Sequence, residues 1–250
     1  MIYNKFATVY DKMGADRHSV HMVEYCQKIF KKFRIDPQTG LDLCCGTGTA
    51  LKLFCEIGLN MSGLDASAEM LAQAAAKLKK EKVTLYHKTL PKFRLLDDNQ
   101  QPVRFDLVTS FYDSLNYLTT EKELGRTFQS VAEHLKDNGW FIFDMNTPEA
   151  LKTLWDEHTY AGVNDEMGWV WRNEYDKKKK RAACHATFFK KEGKLYERFD
   201  EIHYEQGYSN SVIKDLLKKA GFNVKGFYDC YGFSKPGRKC YRIAVVAQKK

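Results

Sequence analysis

Residues 41–54 read LDLCCGTGTALKLF. A short apolar run carries one acid, Asp42, and meets Cys44 and Cys45; Gly46-Thr47-Gly48 follows, then a stretch with helical spacing. A strand that feeds a glycine turn and then a helix holds ligands by its backbone. Glycine lets N–H groups approach closely, and the helix N-terminus favours negative charge. Seventeen residues after Gly48, Asp65 closes a second short run. A carboxylate at such a place accepts hydrogen bonds from ribose hydroxyls. Turn and acid together point to a ribose-bearing cofactor.

A dinucleotide and S-adenosylmethionine both meet that description. The two frames around the turn, residues 44–49 and 46–51, fail the G-x-G-x-x-G pattern that a pyrophosphate prefers. Asp42, just before the turn, would repel a pyrophosphate but suits a ligand with sulfonium and ammonium groups. The sign of that charge favours S-adenosylmethionine and disfavours an NAD-dependent oxidoreductase.

The turn sits in a regular rhythm. Residues 18–33 place Val20, Val23, Ile29, Phe30 and Phe33 on one helical face. Helical patterns also cover 49–58, 67–81 with Ser67 as N-cap, and 120–139, while 41–45, 60–65, 82–87, 104–111 and 140–146 read as strands. This alternation predicts a parallel, doubly wound sheet with helices on both faces. From Tyr160 to Tyr208 the helical period disappears. Residues 169–175, 182–191 and 195–206 predict a three-strand antiparallel meander, with turns at DKKKK and KKEGK. A helix over 210–222, stopped by Gly221, and strands over 223–231 and 239–248 close the chain. The expected organisation is one domain, 1–250. It comprises an N-terminal helical lid segment (1–36), a cofactor-binding core (37–146), an inserted antiparallel sheet (about 156–208) and a closing helix and strand pair (209–250).

The glycine turn followed by GLDASAEMLAQA (63–74) resembles the cofactor-binding half of class I S-adenosylmethionine-dependent methyltransferases. Their pattern is a strand, Asp-x-x-x-Gly-x-Gly, a helix, and a strand ending in an acid. YNKFATVYDKM (3–13), FDLVTSFYDSLNYL (105–118) and FIFDMN (141–146) resemble, more narrowly, a bacterial small-molecule branch that includes the sugar N,N-dimethyltransferases. The resemblance spans nearly the whole chain. It implies an α/β fold: a doubly wound, Rossmann-like seven-stranded sheet whose last strand is antiparallel, with an inserted antiparallel β-meander. It also implies S-adenosylmethionine as cofactor, with Asp42, Cys44, Cys45, Gly46 and Gly48 about the methionine moiety, Asp65 and Ala66 at the ribose, and Met70 against the adenine. Tyr10 and Phe111 belong to the same cofactor set. Cys44 stands where the family often has its first glycine, and Cys45 matches a cysteine common in that loop. Thr89 replaces the usual adenine-binding aspartate, which shifts adenine recognition toward the backbone near Leu90.

Methyl transfer needs orientation, desolvation and sometimes a base, so no universal catalytic residue is expected. The segment after the fourth strand supplies the candidates. Asp113 is placed to orient, or take a proton from, an amine or hydroxyl acceptor, and Tyr112, Asn116 and Tyr117 to shape its pocket. Tyr3 and Tyr10, seven apart, predict one face of a packing helix, and the resemblance makes that segment a lid over the cofactor. His87, His185 and His203 fit no metal-ligand spacing and read as satisfied or surface side chains, so no metal is expected.

Composition narrows the rest. Hydrophobic residues at 44% and charged residues at 29% are ordinary for a globular chain. The seven cysteines form no C-x-x-C pair and read as reduced, small apolar residues. The start carries no secretory pattern and no run is long and apolar enough for a membrane helix, so the expectation is a cytoplasmic protein without membrane association. Residues 1–150 hold 19 basic and 19 acidic side chains, residues 151–250 hold 21 and 13, so the whole +8 lies in the second part. That excess, including DKKKKR (176–181), raises an RNA methyltransferase as an alternative, disfavoured because no RNA-binding module accompanies it. Thr89 raises another, a non-catalytic binding protein on the same fold. The leading expectation is transfer of a methyl group to a small-molecule acceptor, with the aromatic face of the inserted sheet leaving room for a homodimer.

Overall fold

The structure, a computed structural model, describes residue 3 and residues 5–250; residues 1, 2 and 4 of the expected lid segment lie outside the described residues. The first half runs α1 (Arg17–Phe33), β1 (Thr39–Leu43), α2 (Thr49–Glu56), β2 (Asn60–Asp65), α3 (Ala68–Lys77), β3 (Thr84–His87), β4 (Phe105–Ser110), α4 (Glu121–His134) and β5 (Leu135–Asn146). It continues through α5 (Pro148–Leu154), β6 (Thr159–Val163), β7 (Met167–Asp176), β8 (Arg181–Glu192), β9 (Leu195–Gln206), α6 (Asn210–Lys219), β10 (Phe222–Asp229) and β11 (Arg242–Lys249).

Seven strands form one sheet in the order β10-β11-β5-β4-β1-β2-β3. β1, β2, β3, β4 and β5 pair in parallel, and β11 runs antiparallel between β5 and β10. The seven-stranded α/β sheet with its last strand antiparallel is therefore as expected. Successive residues of the central strands point to opposite helical layers. Phe141, Phe143 and Val245 pack with Leu124, Phe128, Ile213 and Leu217 of α4 and α6. Ile142, Ala244 and Val246 pack with Met22, Ile29, Leu51 and Phe54 of α1 and α2. Burial on both faces explains why these strands are apolar throughout. It also makes α1 part of a core layer rather than of a cover.

Three local expectations are corrected. The inserted sheet has four strands, β6-β7-β8-β9, because Thr159–Val163 pairs along β7. That strand is largely exposed and lacks apolar alternation, so it carries no period-two signal. The helix expected over 120–139 ends at His134: Leu135 pairs with Phe105, Trp140 with Leu107, and residues 136–139 make a tight excursion with Asn138 at φ +63°. Lys-Asp-Asn-Gly is a turn sequence rather than a helix tail. Finally, the stretch around Tyr3 and Tyr10 is two short 3-10 turns, Phe6–Thr8 and Asp11–Met13, not one helix. These turns bury Phe6 and Val9 against Phe188, Phe199 and Met167 of the inserted sheet, with Phe6 stacked on Phe188 at 4.5 Å.

No helix of the described residues is long and apolar enough to cross a membrane.

Candidate active site

The parallel order reverses at β1, which has β2 on one side and β4 on the other, so the carboxyl ends of β1 and β4 open a crevice. The loop after β1 is built for close approach. Cys44, Gly46 and Gly48 have φ of +56°, +52° and +77°. A Cβ on Gly48 would meet Ala74 and Leu78 at 3.1 Å, whereas one on Gly46 would have only the Met70 sulfur, at 4.0 Å. Gly48 thus lets α2 and α3 pack, and Gly46 leaves its outer face open. The Asp65 carboxylate ties the loop down, accepting hydrogen bonds from the Gly46 and Ser67 N–H groups, both at 2.9 Å. Burial pushes its pKa up, and these backbone bonds work against that.

A cavity of ≈ 270 Å³ lies over this loop. Of the residues expected about the cofactor, Tyr10, Asp42, Cys44, Cys45, Gly46, Asp65, Ala66, Met70, Thr89, Leu90 and Phe111 line it; Gly48 stands behind it. Asp42 is 3% exposed and accepts a hydrogen bond from Thr109 at 2.7 Å. Burial, with a smaller contribution from the Asp65 charge, lifts its carboxyl to about 7 against the pull of that hydrogen bond. Burial pushes the Cys44 and Cys45 thiols up, which favours their protonated form.

The N-terminal turns cover this cavity. Asp11 accepts a hydrogen bond from Thr47 at 2.7 Å and lies 2.8 Å from Lys77, which also reaches Thr47 at 3.0 Å. Ser67, the N-cap of α3, donates to the Tyr3 carbonyl at 3.0 Å.

A second cavity, ≈ 400 Å³, lies between the end of the large sheet and the inserted sheet. The two cavities share four lining residues: Tyr3, Tyr10, Tyr112 and Tyr117. Burial pushes the hydroxyls of Tyr3, Tyr10 and Tyr117 far up and that of Tyr112 to about 12, so this wall carries neutral hydroxyls. Tyr3 and Tyr117 hydroxyls lie 2.7 Å apart, Tyr117 lies 2.9 Å from His203 Nδ1, and His203 Nε2 is 3.4 Å from Glu201.

Asp113 also lines the second cavity, and Arg242 grips one of its oxygens at 2.6 Å. The same guanidinium pairs with Asp144, whose carboxylate lies 3.3 Å from His18 and accepts the Tyr112 N–H at 2.6 Å. Burial would raise Asp144, but Arg242 and His18 outweigh it and hold it at about 2. Glu205 faces the pair from β9. Burial first, then the charge and hydrogen bond of Asp113, push its pKa well up, against the hydrogen bond that the Asn146 side-chain amide donates at 2.8 Å.

Asn116 does not reach either cavity, contrary to the sequence expectation. Its amide is consumed inside the protein, donating to the Asn146 and Gln206 carbonyls at 3.0 and 2.9 Å and accepting the Asn146 N–H at 3.0 Å. Sequence reasoning missed Glu205 and Arg242; His203, expected to be a satisfied or surface side chain, is buried with Tyr117 and Glu201 as its partners. The alternation Glu201-x-His203-x-Glu205 was the available signal: it puts three polar groups on one face of β9, the face that carries Phe199. Among the described residues no cluster of His, Cys, Asp or Glu is arranged to hold a metal ion.

Comparison with known proteins gives concordant findings. Residues 41–139 match a family described as "Methyltransferase domain". A protein of Geobacillus sp. (strain WCH70) classed as a methyltransferase is 30% identical over 257 residues, covering 100% of both chains. The crystal structure of an S-adenosylmethionine-dependent methyltransferase from Clostridium acetobutylicum is 29% identical, with a TM-score of 0.86 over 100% of this chain and 99% of that one. The dTDP-3-amino-3,4,6-trideoxy-alpha-D-glucopyranose N,N-dimethyltransferase of Streptomyces venezuelae is 33% identical over 130 residues, 52% of this chain and 46% of its own.

Proposed function

Given that the chain belongs to the class I S-adenosylmethionine-dependent methyltransferases, we propose that it methylates a small molecule, an amine or a hydroxyl compound, held in the second cavity. The observation that carries this reading is the shared tyrosine wall: two cavities of small-molecule size meet along Tyr3, Tyr10, Tyr112 and Tyr117. Donor and acceptor would sit on either side of it.

The first cavity fits S-adenosylmethionine. Gly46 has an open outer face, Asp65 has carboxylate lone pairs left after binding two N–H groups, and Asp42 is an acid with one hydrogen-bond donor. In this reading Asp65 receives the ribose hydroxyls, Met70 packs on the adenine, and Asp42 faces the methionine end. The bound cofactor supplies a methyl group activated on a sulfonium. The chain does the rest. Neutral tyrosine hydroxyls exclude water and turn electron-rich oxygens toward a cation, while the N-terminal turns close the site. Asp113, fixed by Arg242, orients the acceptor N–H or O–H and takes the proton that the acceptor loses.

The test is a mass-spectrometric screen of amines and hydroxylated metabolites for gain of one methyl group, with Asp113→Asn alongside. A methylated product whose rate falls at least tenfold in Asp113→Asn supports the reading. Full turnover in that variant removes Asp113 from the chemistry.

A further inference from the structure

Two buried polar atoms on residues that line the second cavity have no hydrogen-bond partner. Asn173 is 5% exposed, and its Oδ1 makes no hydrogen bond; Trp171 is half-buried, but its indole Nε1 is itself buried and unpaired. Both residues line the cavity, and at positions i and i+2 of β7 they share one face of the inserted sheet. Buried polar groups are nearly always satisfied, and leaving one unpaired is costly. An orphaned acceptor beside an orphaned donor is what a site shows when its partner is the ligand.

The sheet between them and the tyrosine wall is made to be covered. In register, Asn173 pairs with Cys184 and Cys184 with His203, while Trp171 pairs with Ala186. The middle strand therefore offers small side chains, Cys184 and Ala186, as a floor. Two strand spacings, about 10 Å, separate Asn173 from His203, which touches Tyr117 of the wall. Among the described residues Arg242 is the one Lys or Arg lining this cavity, and Asp113 and Asp144 already bind its guanidinium. Nothing inside is left to balance a diphosphate.

Resting on the methyltransferase reading above, we propose that Trp171 and Asn173 form the recognition subsite for the methyl acceptor. They read a head group with one carbonyl and one N–H, a carboxamide or lactam, on a phosphate-free molecule. Its nucleophile lies at the tyrosine wall, about 10 Å away. Trp171 donates to the carbonyl, and Asn173 accepts from the N–H.

The test uses the full chain saturated with S-adenosylhomocysteine, whose own binding is measured first. Calorimetry then compares 4-(2-aminoethyl)benzamide with 2-phenylethylamine, which lacks the amide, and with thymidine diphosphate. The benzamide should bind at least about tenfold tighter than phenylethylamine, and Trp171→Phe and Asn173→Leu should each collapse that difference. Both variants should bind S-adenosylhomocysteine as before. Without ligand they should melt at or above the wild-type temperature, since each removes an unpaired buried group. Equal binding of the two amines, binding of neither, or displacement of the benzamide by thymidine diphosphate overturns the proposal. A lowered melting temperature in both variants does so too, because it would make the two groups structural. Failure of S-adenosylhomocysteine itself to bind would instead defeat the methyltransferase reading on which the proposal stands.

Discussion

Cys44 holds a left-handed backbone conformation, φ +56°, that glycine would hold without strain. The sequence shows a cysteine at a place usually kept small. The structure adds that this residue lines the first cavity. One residue pair away, Asp42 lies on the cavity floor with its carboxyl lifted to about 7, chiefly by burial. An acid held above its unfolded value of about 3.9 stabilises the fold fully below that pH, and the contribution is lost as pH rises through about 7. A cationic ligand acts in the opposite sense, because it favours the ionised carboxylate. Affinity for S-adenosylmethionine should therefore rise severalfold from pH 6 to pH 8, with proton release on binding, and the rise should vanish in Asp42→Asn. Calorimetry in buffers of different ionisation enthalpy measures both. A flat profile in the wild type would remove Asp42 from the cationic end of the ligand.

At the scale of elements, the N-terminal turns are the part whose role depends most on a few contacts. They are held on one side by Phe6 against Phe188 and on the other by Asp11, Thr47 and Lys77. The ion pair is partly exposed, with Lys77 at 21% and Asp11 at 37%, so its loss costs the fold about 1 kcal/mol or less. Lys77→Ala should leave the melting temperature within about 4 °C, yet weaken cofactor binding a few-fold and speed proteolysis within residues 5–16. Unchanged affinity and unchanged proteolysis would show that the turns close without this latch. The same elements show where sequence reading stopped. Tyr3 and Tyr10 have helical spacing, but Phe6 and Val9 are drawn to the inserted sheet, and tertiary packing chooses two 3-10 turns instead. Strand β6 was hidden because its burial follows no alternation.

Across the whole molecule, the large sheet was legible because its strands are short, apolar and separated by helices with caps, such as Ser67 on α3 and the Thr120–Glu123 capping box on α4. The first cavity was legible for a related reason: its residues follow β1, β2, β3 and β4 closely in sequence. The second cavity was legible only in part: Tyr112, Asp113 and Tyr117 after β4 line it, whereas Glu205 and Arg242 carried no signal that was read. Asp113, Asp144, Glu205 and Arg242 come from four separated segments, and only the fold brings one guanidinium to two carboxylates and a third carboxyl beside them. Charge counting placed basic residues in the second part of the chain, yet the Lys177–Lys180 turn is exposed, with Lys177 near Asp156 and Lys179 near Asp176. The buried titratable groups instead gather in the interior, around the tyrosine wall between the two cavities.

That arrangement stands or falls with the first cavity. Its most direct test is calorimetric titration of S-adenosylmethionine, S-adenosylhomocysteine and NADH into the wild type and Asp65→Ala, with the melting temperature of the variant recorded. The account predicts saturable binding of the first two, none of NADH, and affinity at least about tenfold weaker in a folded Asp65→Ala, as expected for losing charge-assisted bonds to a ribose. Binding of NADH, or binding of S-adenosylhomocysteine that ignores the loss of Asp65, would contradict it.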